Sequence, residues 1–318
     1  VRGDGTLRFG YQSGAGDPAE TVRSARAAED AGFDVFHIGD HVGAGPSVLA
    51  SLAAAASGTS TIRLCPLVLN NDLRHPVVLA QELATIDRLS GGRLEVGIGA
   101  GHSFTEYAAI GQAFDPPAIR KARLAEATEI LRKLLDGERV TYTGEHYRIL
   151  DAVTLRPAQD HVPMLIAVNG RKALAHAANH ADTVGLTMLG RTGADGQSHE
   201  VRWEPERLDA TAAWLREQAV DRRPRPELHA LIQSIVITDD RDKVAIAMAG
   251  RIPGLGVEDA LITPFLALGT HDQIADHLLA SRSRWGISYY SVRDIEAFAP
   301  VIERLRSPGA RSDDRGGS

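Results

Sequence analysis

The segment ATIDRLSGGRLEVGIGAG at residues 84–101 constrains the fold of this chain more than any other. It reads as a helix end, a polar turn, a short strand, and glycines where the strand stops. The same order recurs almost throughout. Strand signals fall at residues 7–13, 35–39, 62–69, 94–98, 164–168, 183–187, within 228–237, and at 287–292. Helical signals lie between them. Asp17 and Pro18 open a helix that Gly32 ends, a small-residue helix covers 48–58, and Pro76 opens another with Leu79, Leu83, Ile86 and Leu89 as its apolar stripe. Later helices are expected over 119–135, 172–181, 205–219, 271–284 and 295–305. Residues 35–39 are apolar on both faces except at His37, as in a parallel sheet covered by helices. Eight such strands over residues 7–306 imply one α/β domain, a (β/α)8 TIM barrel with insertions.

The 318 residues suit this architecture, which takes about 250 to 400 residues when insertions are included. A hydrophobic content of 43% supplies its core. With 35 basic and 41 acidic residues the formal charge is −6, and the RRPR run at 222–225, broken by a proline, reads as a solvated link rather than a nucleic-acid patch. Cys65 is the lone cysteine, which excludes an internal disulfide and a thiolate metal cluster. With no secretory segment recognised, it points to the cytoplasm. No run approaches the roughly 18 apolar residues of a membrane span. Residues 1–6 and 307–318, rich in Gly, Ser, Asp and Arg, read as disordered tails. Insertions are expected near 141–150, 188–204 and 249–270. The first reads as a hairpin, the second as an active-site lid or mobile loop, and the third as partly helical over 257–268.

Six motifs carry a family resemblance: AEDAGFDVFHIGDH (28–41), RHPVVLAQELATIDRLSGGRLEVGIGAG (74–101), EYAAIG (106–111), VPMLIAVNG (162–170), HAANHADTVGL (176–186) and GTHDQIADHL (269–278). In this order they resemble the luciferase-like monooxygenase superfamily, whose members are barrel oxidoreductases that use flavin or deazaflavin. Within it the chain is similar to the actinobacterial branch that uses coenzyme F420. The resemblance implies hydride transfer between the deazaflavin C5 and a small organic substrate, with reduction of an activated C=C or C=N bond favoured over alcohol oxidation. It also implies a separate enzyme that reduces the cofactor. An FMN-dependent monooxygenase using reduced flavin and O2 is the rival enzyme. An inactive barrel serving as a binding or structural subunit and a sugar-phosphate barrel enzyme are further readings.

Candidate site residues sit where strands end. Asp40 and His41 close the second strand, and a histidine there has the proton affinity to exchange a proton beside a hydride transfer. Asp40 reads either as part of that chemistry or as a cap for the next segment. Glu106 matches an acid common in the resembled family, as a catalytic acid or as a helix-terminus partner. Leu69 and Asn70 end the third strand, where the resemblance implies a non-proline cis peptide, placed at Leu69–Asn70. Gly99 and Gly101 let a flat ligand approach the fourth strand, and His102 stands where relatives often carry an aromatic residue. Ala167, Val168, Asn169 and Gly170 form the fifth strand's exit, where free amides at a helix start suit a phosphate. Thr187 ends the sixth strand beside the same groove. His176 and His180 stand four apart on one helix without an HExxH motif and read as packed helix residues, so no metal is expected. Trp214 and Trp285 read as packed, Trp203 as a residue facing substrate. Small residues near 51–57 fit either a homodimer contact or internal packing.

Overall fold

The computed structural model describes residues 6–307 apart from 15, 44, 188, 193–198 and 223. Both expected tails therefore lie outside the described residues, save Thr6 and Ser307. Eight strands build the sheet: β1 (Arg8–Ser13), β2 (Val35–Ile38), β3 (Arg63–Pro66), β4 (Val96–Gly99), β5 (Met164–Val168), β6 (Thr183–Leu186), β7 (Glu227–Leu231) and β8 (Ile287–Val292). They pair in parallel in the order β3-β2-β1-β8-β7-β6-β5-β4. The ring closes between β3 and β4, where Leu64 bridges Leu94 and the Glu95 amide donates to the Leu64 carbonyl at 2.8 Å. A two-residue strand, Leu69–Asn70, continues this side of the mouth by pairing with Ile98 and Gly99.

The surrounding helices are α1 (Pro18–Asp30), α2 (Val48–Gly58), α3 (Pro76–Leu89), α4 (Pro117–Leu135), α5 (Arg171–His180), α6 (Pro205–Gln218), α7 (His271–Trp285) and α8 (Ile295–Arg306). Their starts follow local chemistry. Asp17 accepts from the amides of Ala19 and Glu20 ahead of Pro18, and Thr270 forms a reciprocal capping box with Gln273. The polar turn after α3 is a structural staple. Asp87 is fully buried and accepts from the amides of Leu94, Ala158 and Gln159 and from the Gln159 side chain. Arg93 reaches back to the carbonyls of Ala56, Thr59 and Ile62 at the end of α2.

Most of the core lies between sheet and helices, while Val35, Cys65, Leu165 and Tyr289 form a separate cluster inside the cylinder. The interior also holds polar groups. His37 is fully buried, with Nδ1 3.1 Å from the Cys65 carbonyl and Nε2 2.7 Å from the Tyr289 hydroxyl. Burial pulls its pKa down to about 4, so the ring is neutral at physiological pH. Gly10 faces this ring: a Cβ there would lie 2.4 Å from His37 Nε2.

All eight expected strands are present, but four local expectations need correction. The seventh strand breaks after Leu231, and Ser234–Ile237 forms a separate parallel pair with Leu266–Gly269. The expected helix over 257–268 therefore ends at Ile262 and gives way to that strand, whose four residues are all buried. The insertion at 188–204 contains an antiparallel hairpin, Leu189–Thr192 with His199–Val201, and its remaining residues 188 and 193–198 lie outside the described residues. The non-proline cis peptide is at Leu67–Val68, not Leu69–Asn70, because Leu69 and Asn70 are held in the pairing with β4. The first insertion is a hairpin as expected, Val140–Thr143 with Arg148–Ala152. Among the described residues no helix is long and apolar enough to cross a membrane.

Candidate active site

The carboxyl ends of the strands open into a cavity of about 300 Å3 at the barrel mouth. Asp40, His41, Leu69, Asn70, Glu106 and Thr187 line it, as do Gly101, His102 and Ala167. A second cavity of about 600 Å3 continues from it past Gly101, His102 and Thr187 to Val168, Asn169 and Gly170. The two together bring every candidate residue into one groove except Gly99. That glycine is buried beneath the mouth, and a Cβ on it would lie 3.0 Å from Val68 and 3.2 Å from the Ala167 carbonyl. Its role is to admit the Leu67–Val68 segment into the rim.

At the rim His41 Nδ1 lies 2.8 Å from Glu106 Oε1. Glu106 is carried on a short helix, Phe104–Ala109, and its side chain is 11% exposed against 49% for His41. His102 packs edge-on against the His41 ring at 5.9 Å. Asp40 does different work. Arg74 grips both its oxygens, at 2.6 and 2.9 Å, and the Asn70 amide donates to Oδ2 at 2.9 Å. With its oxygens already engaged, Asp40 locks the exit of β2 to that of β3 and holds its neighbour His41 in place.

Asn70 is equally committed on one side. Its Oδ1 accepts from the Asp72 amide at 3.1 Å and the Tyr107 hydroxyl at 3.2 Å. The single Tyr107 hydroxyl proton is shared with Asp72 Oδ2, 2.9 Å away, and Asp72 is paired with Arg123. Gly101, at φ +71°, faces this knot, and a Cβ would sit 2.4 Å from both Asn70 Oδ1 and the Tyr107 hydroxyl. Gly101 also lines both cavities, so a side chain there would crowd the knot and the groove alike.

The larger cavity is basic: Arg120, Lys121, Arg171, Arg202 and Arg207 line it, and no acidic side chain does among the described residues. Lys121 donates to the Asn169 carbonyl at 2.9 Å and to its Oδ1 at 2.6 Å, and burial, with Arg120 nearby, lowers its pKa. Arg120 donates to the carbonyls of Ala100 and Gly101. Gly170, at φ +82°, is the residue before α5, and among the described residues that helix start has no side-chain cap hydrogen bond. Thr187 Oγ1, at the junction of the two cavities, is buried without a hydrogen-bond partner among the described residues. Uncapped amides, gathered cations and an orphaned hydroxyl suit an elongated ligand with a phosphate at one end.

Sequence reasoning missed several groove residues. Arg120 and Lys121 lie at the start of a long helix, and only the RK doublet hinted at them. Gln12, at the end of β1, obeyed the strand-end rule but stood in no motif. His229 is buried in β7, 2.8 Å from the Ser291 hydroxyl, and its pKa is held well below the ordinary range, chiefly by burial. Of the tryptophans, Trp214 packs against the core as expected and also lines the basic cavity, whereas Trp203 departs from expectation. Trp203, two residues before α6, is buried in the core at 6% exposure and does not face the groove.

A family model described as luciferase-like monooxygenase matches residues 6–255, and the chain belongs to that family. An F420-dependent glucose-6-phosphate dehydrogenase from Nakamurella multipartita is 38% identical over 188 residues, 55% of each chain. The chain thus aligns with only about half the length of such curated relatives. Among solved structures, the coenzyme F420-dependent tetrahydromethanopterin reductase of Methanopyrus kandleri has a TM-score of 0.73 at 22% identity, covering 94% of this chain and 98% of that one. EDTA monooxygenase from Chelativorans sp. BNC1 has a TM-score of 0.76 at 13% identity, covering 96% and 94%. These two likenesses establish the barrel fold.

Proposed function

We propose that this chain is a coenzyme F420-dependent oxidoreductase acting on a small organic substrate, in the direction of reducing an activated C=C or C=N bond. The observation that carries the reading is the His41–Glu106 pair at 2.8 Å, set on the rim of a cavity that runs into a cationic one. The curated relatives named for F420 favour this cofactor over others. When bound, the deazaflavin supplies a two-electron carrier that exchanges hydride at C5 and does not usefully activate oxygen.

The protein's part follows from its own groups. Glu106 accepts from His41 Nδ1–H, which sets the tautomer and leaves the lone pair on Nε2. His41 then exchanges the proton that must accompany hydride transfer, and Glu106 stabilises the charged ring. Asp40, clamped by Arg74, positions His41. Leu69, Ala167 and the Leu67–Val68 segment form the apolar rest for a planar ring, while Asn70 has its amide nitrogen left to meet the polar edge of that ring. The α5 amides and the surrounding cations hold the phosphate near Asn169 and Gly170. A separate enzyme that returns the cofactor to its reduced state belongs to this reading.

FMN also ends in a phosphate, and the likeness to EDTA monooxygenase keeps it as the second reading. Purified protein mixed separately with F420 and FMN, each oxidised and reduced, distinguishes them by absorbance change and affinity. Tight binding of F420 with FMN excluded is the expected result. Tight binding of FMN alone transfers the site to a flavin monooxygenase, and failure to bind either leaves the non-catalytic barrel and the sugar-phosphate barrel enzyme as the readings.

A further inference from the structure

We propose that Glu129, His176 and His180 form a binding site for a divalent ion of the zinc or nickel class. His176 and His180 stand four residues apart on α5 and so share one face of that helix. Their rings stack with centroids 4.3 Å apart. Glu129 projects from α4 to meet them, and one ligand atom from each of the three residues lies within 4.8 Å of the others. Two imidazoles and a carboxylate are the donors of zinc sites, and they also suit nickel and cobalt, whereas magnesium and calcium prefer oxygen alone.

Neighbouring groups hold the set in place. Thr128 Oγ1 lies 2.8 Å from His176 Nε2 and donates its own proton to the Ala125 carbonyl. The Tyr142 hydroxyl donates to Glu129 Oε2 at 3.3 Å. Such outer partners orient metal ligands. His176 also lines a cavity of about 450 Å3 between α4 and α5 that reaches Lys121, Asn169 and Arg171. An ion here would pin together the two helices that wall this part of the groove.

The test uses the full chain without an affinity tag, titrated with Zn2+, Ni2+ or Mg2+ by calorimetry and by thermal unfolding. One Zn2+ or Ni2+ per chain is expected to bind and raise the unfolding temperature, since only the folded chain presents the set, and Mg2+ is expected to do neither. His180→Ala and Glu129→Ala, both altering side chains outside the core, should each weaken Zn2+ binding by about tenfold or more. No saturable binding by the folded wild-type chain overturns the proposal. So does affinity left unchanged in either variant, which would place the ion on other histidines.

Discussion

At the scale of single residues, two adjacent side chains at the end of β2 divide the work. Asp40 has both oxygens in the Arg74 clamp, and His41, next in sequence, is half exposed and bonded only to a carboxylate among the groups described above. The proposed chemistry therefore places proton exchange on His41. His41→Gln should lower turnover by about a hundredfold, the usual range for losing a general acid or base, while F420 affinity changes little. Steady-state kinetics beside a binding titration check this, and unchanged turnover in the folded variant removes His41 from the mechanism. Asp40→Asn should behave differently, because it weakens the clamp and lowers stability along with activity. The pair Asp40–His41 was legible because strand ends carry chemistry in barrels. Arg74 was not, because nothing in a sequence reports that a residue just before α3 reaches back 34 positions to clamp a carboxylate.

At the scale of elements, the segment with the strongest sequence signal owes much of its character to folding. Asp87, Gly91, Gly92 and Arg93 shape the route from α3 into β4, and none of them lines the groove. Asp87 answers several buried N–H groups at once, so Asp87→Ala leaves them unsatisfied in the core. The expected loss is about 3 kcal/mol, measured by denaturant unfolding, with F420 affinity of the surviving folded fraction unchanged. Motifs such as this one locate the strands reliably because helix stops and buried runs are local signals. The inserted pieces are harder to read. Residues 257–268 carry an apolar run that serves equally as helix or buried strand, and pairing with the distant Ser234–Ile237 decides the matter for its second half. Trp203 and Trp214 illustrate the same limit, since which of them faces the groove depends on how α6 docks.

At the scale of the whole molecule, the barrel has a polar floor as well as a reactive mouth. Arg8 of β1 donates to Glu95 at 2.6 Å and to Glu227 of β7 at 2.7 Å, and Arg63 of β3 donates to the same Glu95 at 2.5 Å. Glu95 sits at the β3–β4 seam, where the ring closes, and its side chain is 3% exposed. The barrel could be inferred from alternating strand and helix signals, yet this ionic floor could not, because its members come from β1, β3, β7 and the residue before β4, far apart in sequence. Burial alone would push Glu95 upward, but the two guanidiniums outweigh it and hold its pKa below the ordinary value. For an acid held low in the folded chain, the stabilisation is present above its unfolded pKa, about 4.3, and is lost as pH falls through the folded value. Glu227, which shares Arg8, is shifted the other way, chiefly by burial, so it opposes part of this trend. Glu95→Gln leaves Arg8 and Arg63 without their shared charge and should destabilise the chain by about 3 kcal/mol at pH 7. The gap from wild type should narrow below about pH 4.3, as Glu95 of the unfolded wild-type chain takes up its proton first, and urea unfolding of both chains at pH 7 and at pH 3.5 measures it. A gap that stays constant across that interval would mean that Glu95 acts through packing and hydrogen bonding, not through its charge at the barrel seam.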